Sequence, residues 1–130
     1  MRVMLVRAPA KHTVESEVPA AVAAENQSYP PLALLAVATY LKHHTHHEVC
    51  ILDAQLDNLD YDEVERRMRE WAPDVVGVTV YTVGLVDCFR TVAIARKLES
   101  VKHVVLGGPH INDFPQESVG LAGVDAVVKG

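Results

Sequence analysis

Five short apolar runs punctuate the chain: RVMLV (Arg2–Val6), EVCILDA (Glu48–Ala54), DVVGVTV (Asp74–Val80), HVVLGG (His103–Gly108) and VDAVV (Val124–Val128). Dense, β-branched runs of this length read as strands buried on both faces. Segments with helical spacing lie between them. LALLAVATYLKHH, opened by Pro30 and Pro31, is apolar nearly all round, which predicts a well-buried helix. DYDEVERRMREW carries Tyr61, Val64, Met68 and Trp71 as one stripe on a charged helix. Asp60 and Glu63 have capping-box spacing, and Ala72-Pro73 stops the helix. LVDCFRTVAIARKLE predicts a helix with Leu85, Phe89, Val92 and Ala93 on its inner side, and Pro115–Val119 a short one.

The order β-α-β-α-β-α-β-α-β predicts an α/β fold. It is a doubly wound, five-stranded parallel sheet of flavodoxin-like (Rossmann-like) order, in three αβα layers, with residues 1–130 as one domain. Ligands of such sheets sit beyond the carboxyl ends of the strands, near the switch in strand order. The chain's unusual loops fall there: Arg7–Tyr29, which has no clear period, AQLDN, YTVG and GGPHIND. In the last, Gly107 and Gly108 leave bare peptide at a strand exit, and Pro109 stiffens the turn. This is either a tight turn needing positive φ or clearance for a ligand. Thr79, Tyr81 and Thr82 bring hydroxyls to a neighbouring exit. Alternatively, Thr79 is an ordinary strand residue and Thr82 a helix cap.

Composition narrows the chemistry. The net charge of −5, with no basic block among 130 residues, argues against nucleic acid as the main partner. Leu32–Leu41 is too short to span a bilayer, and the N-terminus makes a poor signal peptide. Two cysteines, Cys50 and Cys88, lack metal or disulfide spacing and read as small core residues in a reducing cytoplasm. An iron–sulfur cluster needs more cysteines than these. GxGxxG, GxxxxGK[ST] and GxSxG are absent. Arg7-Ala8-Pro9 stands where receiver domains carry acidic residues. His43, His44, His46 and His47 lie at the amino edge, opposite the candidate site, and read as a solvated helix cap rather than a metal site. His12 has no visible partner, and His110 sits beside the glycines. The chain stops at VDAVVKG, in an apparent strand and its exit turn, so a fragment of a longer protein is expected.

YPPLALLAVATYLK, HEVCILDA, PDVVGVTVYT, VVLGGPH and VDAVVKG, in this order, resemble the N-terminal cobalamin-binding domain of B12-dependent radical SAM enzymes. That family includes oxygen-independent magnesium-protoporphyrin monomethyl ester cyclases and B12-dependent methylases. The resemblance implies cobalamin as cofactor, held at Gln55, Thr79, Tyr81, Thr82, Gly107, Gly108, Pro109 and His110. The glycines would make room for the dimethylbenzimidazole tail, and Thr79 would hydrogen-bond near it. Tyr81 and Thr82 would face the corrin. Better-known carriers use DxHxxG, whose histidine is the lower cobalt ligand. Set against Asp53–Asn58, Gln55 takes the histidine position and Asn58 the last glycine. Glutamine is a weak cobalt ligand, which implies base-off binding without histidine. The resemblance also implies a downstream radical SAM domain in the same chain, with a 4Fe–4S cluster and S-adenosylmethionine. This domain itself would supply no acid, base, nucleophile or metal ligand. A flavodoxin-like interaction module that has lost the cofactor is the alternative, and a nucleotide or flavin binder a third reading.

Overall fold

Val3, Met4, Leu5 and Val6 are all buried, which places β1 (Arg2–Arg7) inside a sheet rather than at its edge. The computed structural model describes residues 1–14, 19, 21 and 29–130, so much of the long loop expected after β1 lies outside the described residues. The other strands are β2 (Glu48–Asp53), β3 (Val75–Thr79), β4 (His103–Gly107) and β5 (Ala126–Val127). All pairings are parallel and the order is β2-β1-β3-β4-β5. This is the flavodoxin-like order, with the change of winding direction between β1 and β3.

Helices α1 (Leu32–His44), α2 (Tyr61–Trp71), α3 (Leu85–Arg96), α4 (Pro109–Asp113) and α5 (Pro115–Val119) connect the strands. The main core lies between the sheet and α2 and α3, around Val6, Val64, Met68, Val76, Val104 and Leu106. A smaller cluster of Val3, Leu5 and Leu34 joins the opposite sheet face to α1. The capping box of α2 is complete: the Glu63 N–H donates to Asp60 Oδ1 at 2.8 Å, and the Asp60 N–H to Glu63 Oε2 at 3.2 Å. No helix among the described residues is long and apolar enough to cross a membrane.

Several sequence expectations are corrected. Helix α1 is not well buried: Leu34 alone is fully covered, and Ala38 and Leu41 only partly. An all-round apolar pattern cannot distinguish burial by the chain itself from an unpartnered face. In α3, Phe89 and Ala93 point outward, while Asp87, Cys88, Thr91, Val92, Ile94 and Ala95 are buried. The cause is polar: Asp87 and Thr91 turn inward, and hydropathy alone reads such residues as outward. The GGPHIND stretch is not all loop, because Pro109 starts α4. YTVG contains a 3₁₀ turn at Thr82–Gly84. Thr82 does not cap α3, whose N-cap is Gly84. The edge strand β5 is shorter than VDAVV.

The rotated face of α3 gives a stability contrast. Ile94→Ala is expected to cost about 2–5 kcal/mol as a buried large-to-small change. Phe89→Ala deletes more atoms but from an exposed site, and should cost under about 1 kcal/mol. Urea denaturation of both variants checks this; equal losses would contradict the observed face.

Candidate functional site

Four neighbouring strands, β2, β1, β3 and β4, end abreast. Register pairs Arg7 with Asp53 and with Thr79, and Thr79 with Gly107. At about 4.8 Å per strand, this row is roughly 14 Å wide at the carboxyl edge. Strand alternation turns these residues toward the α1 side, as it does Val3 and Leu5.

One end of the row is closed by an ion pair. Arg7 Nε donates to Asp53 Oδ1 at 2.7 Å and Arg7 Nη2 to Asp53 Oδ2 at 2.6 Å, with both side chains largely buried. Asp53 Oδ1 also accepts the backbone N–H groups of Gln55 (3.2 Å) and Leu56 (3.0 Å). The carboxylate is thus built into the β2 exit turn and is not free to orient a ligand. Asn58 ends this turn at φ 49°, a left-handed conformation that asparagine tolerates well. Gln55 therefore sits at the exit of an edge strand, and the structure does not bring it to the other candidate residues.

Those other residues do meet. The Val80 N–H donates to the Gly107 carbonyl at 2.8 Å, and the His110 N–H to the Val80 carbonyl at 3.1 Å. Thr82 Oγ1 and His110 Nδ1 are 2.9 Å apart. The β3 and β4 exits are zipped together, carrying Thr79, Tyr81, Thr82, Gly107, Gly108, Pro109 and His110. The two glycines have different reasons. Gly108 has φ 107°, and a Cβ there would lie 2.9 Å from Thr79 Oγ1 and from the Val80 nitrogen. Only glycine fits that turn. A Cβ on Gly107 would meet nothing closer than the Val128 carbonyl at 3.8 Å. The space beside Gly107 is open, whereas Leu5 leans over Gly77 in the neighbouring strand, 2.9 Å from where its Cβ would be.

A cleft of about 300 Å³ opens on the same side, lined by Arg7, Tyr29, Pro31, Leu34, Thr79 and Tyr81 among others. Exposed Leu56, Tyr81, Val83 and Phe114 crown the carboxyl edge. A larger hollow of about 540 Å³ lies beside β2, between Cys50, Arg67 and Trp71. It borders an outer strand away from the switch in strand order, and the ligand-site geometry of this fold favours the smaller cleft.

Sequence reasoning missed one cluster. Tyr61 OH donates to Asp87 Oδ1, and the His12 N–H donates to Asp87 Oδ2 at 2.9 Å. His12 Nδ1 lies 3.3 Å from Asp87 Oδ1 and 3.2 Å from the Tyr61 hydroxyl. Burial alone would raise the Asp87 carboxyl, but the Tyr61 hydroxyl, His12 and the Lys11 N–H together hold it below the usual range. Burial and the same hydrogen bond push the Tyr61 phenol up, so it remains a donor. With Val14 N–H donating to the Val83 carbonyl at 3.0 Å, this cluster staples the start of the β1 exit loop to α2 and α3. Its members are far apart in sequence, and only the helical position of an aspartate amid apolar residues hinted at it.

Burial pushes the Cys88 thiol up to about 12 and the Cys50 thiol up to about 11. His43 and His44 are exposed in the last turn of α1, and among the described residues no group of three or more potential ligands could hold a metal ion.

The sequence model of the B12 binding domain matches residues 19–130, and the chain belongs to that family. It is 28% identical over 131 aligned residues to an uncharacterized methyltransferase of Pyrococcus horikoshii, covering 100% of this chain and 27% of that protein. It is 32% identical over 104 residues to an anaerobic magnesium-protoporphyrin IX monomethyl ester cyclase of Rubrivivax gelatinosus, covering 79% of this chain and 19% of that enzyme. The chain thus spans well under a third of the length of these curated relatives. No solved structure matches it.

Because the Asp87 carboxyl is depressed in the fold, its contribution is complete above the unfolded aspartate value of about 3.9 and is lost as pH falls through the lower folded value. Asp87→Asn should lower stability at neutral pH by about 1–3 kcal/mol and shrink the stability difference between pH 7 and pH 3. Urea denaturation at both pH values reads this out, and an unchanged difference would contradict the role given to Asp87.

Proposed function

We propose that this B12-binding domain holds cobalamin for a longer radical S-adenosylmethionine enzyme that performs methyl transfer or cyclase-like chemistry. The observation that carries the reading is the open space beside Gly107, at the carboxyl edge where sheets of this order bind ligands, in a chain of the B12-binding family. The residues present fit the cofactor. Gly107 leaves a lane for the dimethylbenzimidazole tail, and Thr79, next to it in register, offers a hydroxyl at the lane's mouth. Tyr81, Thr82 and His110 would contact the corrin and its amide arms, while Gly108 and Pro109 fix the turn that presents them.

When bound, cobalamin supplies a cobalt centre able to accept and pass on a methyl group. The chain's own part is to bind and orient. Asp53 is consumed by Arg7 and by its own turn, and Gln55 stands at an edge strand. This supports base-off binding with no histidine ligand from the Asp53–Asn58 stretch. Two raised-pKa thiols do not make a cluster site, so the 4Fe–4S cluster and S-adenosylmethionine would belong to the rest of the longer chain. Its relatives' greater length and their names as methyltransferase and cyclase support that assignment. Free thiols suit a reducing cytoplasm.

The test is retention of hydroxocobalamin after desalting, read by visible spectrum, for the wild type and Gly107→Leu. The wild type should keep the corrin band in base-off form, and its cobalt(II) resonance should show no nitrogen splitting. Gly107→Leu should bind at least tenfold more weakly while melting within a few degrees of the wild type. No retention by the wild type would favour the interaction module without cofactor. Equal retention by both proteins would remove the tail from the Gly107 lane, and nitrogen splitting would refute base-off binding without a nitrogen ligand.

A further inference from the structure

Helix α1 has a second apolar face that the other described residues leave exposed. From Tyr29 to Leu41 the chain carries no charged residue. The sheet takes one stripe of it, Leu34, Ala38 and Leu41. On the opposite side, Leu32 is 74% exposed and Tyr40 62%, with Leu35 at 41% and Val37 at 48% on the flanks. Leu32, Ala36 and Tyr40 follow one another at i, i+4 spacing, and the small Ala36 between two larger residues gives the ridge-and-groove relief that helices use to pack on one another. A single soluble domain rarely leaves so continuous an apolar surface in water. The stripe is limited in length: His43 and His44 end it at the amino edge, where His44 Nδ1 hydrogen-bonds the Tyr40 carbonyl at 3.0 Å. At its other end Leu32 lines the carboxyl-edge cleft.

We propose that the outer stripe of α1, centred on Leu32, Ala36 and Tyr40, is the docking surface for an apolar helix face from the remainder of the longer chain, which thereby reaches the rim of the cofactor cleft. The occupant is chosen on two grounds. The curated relatives are several times longer than this chain, which covers 27% and 19% of them, so a covering segment within the same polypeptide is at hand. The surface is uncharged and ends in a polar histidine pair, so its complement is apolar and about two and a half helical turns long, as about 3.6 residues per turn over Leu32–Tyr40 requires. This rests on reading the chain as one domain of a longer protein. That reading is tested separately, by the sequence of the gene downstream.

Cysteine accessibility tests the docking. Ala36→Cys is introduced into residues 1–130 and into the full-length product, and maleimide labelling is timed in both, with Glu99→Cys as the exposed control. Ala36→Cys should react rapidly in the 130-residue chain and at least tenfold more slowly in the full-length protein, while Glu99→Cys reacts equally in both. Equal rates at position 36 would overturn the docking surface even where the longer chain exists. Protection of position 36 in the 130-residue chain that grows with its concentration would overturn the choice of occupant and assign the face to a second copy.

Discussion

The site depends on one close approach. The peptide at Gly108 comes so near Val80 and Thr79 that no side chain can stand between them. Two backbone hydrogen bonds, from the Val80 N–H to the Gly107 carbonyl and from the His110 N–H to the Val80 carbonyl, fix the crossing. Everything else at the carboxyl edge is placed relative to it. Pro109 begins α4 there, His110 reaches Thr82, and Gly107 is left facing open space beside β5. On the opposite flank, Arg7 and Asp53 close the row, so the opening lies between β1 and β5 rather than across the whole sheet.

On the proposed reading, the domain binds and orients the cofactor and leaves the chemistry to it. Several of its titratable groups are committed to structure: Asp53 to Arg7, Asp87 to Tyr61 and His12, and both thiols raised by burial. What remains at the edge are hydroxyls, an imidazole, peptide groups and exposed apolar side chains. Those groups suit a large amphipathic disc with amide arms, whose reactivity comes from its own metal.

The sheet was legible because parallel strands buried on both faces leave unbroken β-branched runs, as in Val75–Thr79, and because Asp60 and Glu63 announce α2. Strand order followed from right-handed crossovers. The gathering at the β3 and β4 exits was legible as well, since Thr79–Thr82 and Gly107–His110 are each local in sequence. Three things were not. The face of α3 depends on Asp87 pairing with a histidine and a tyrosine from distant segments. The separation of Gln55 from the other candidates depends on how the β2 exit turn closes on Asp53 and Arg7, side-chain pairing that strand order alone does not report. The exposure of α1 depends on what lies outside the chain's own core, which no periodicity reports. The two adjacent glycines also look alike in sequence, yet one answers to backbone conformation and the other to open space.

Chemical-shift mapping of the labelled chain with hydroxocobalamin tests the central claim most directly. Shifts concentrated at Arg7, Thr79–Thr82 and Gly107–His110, with little change at Cys50 and Trp71, are the expected result. Shifts centred on the hollow beside β2, or no shifts at the Gly107 lane at saturating cofactor, would contradict it.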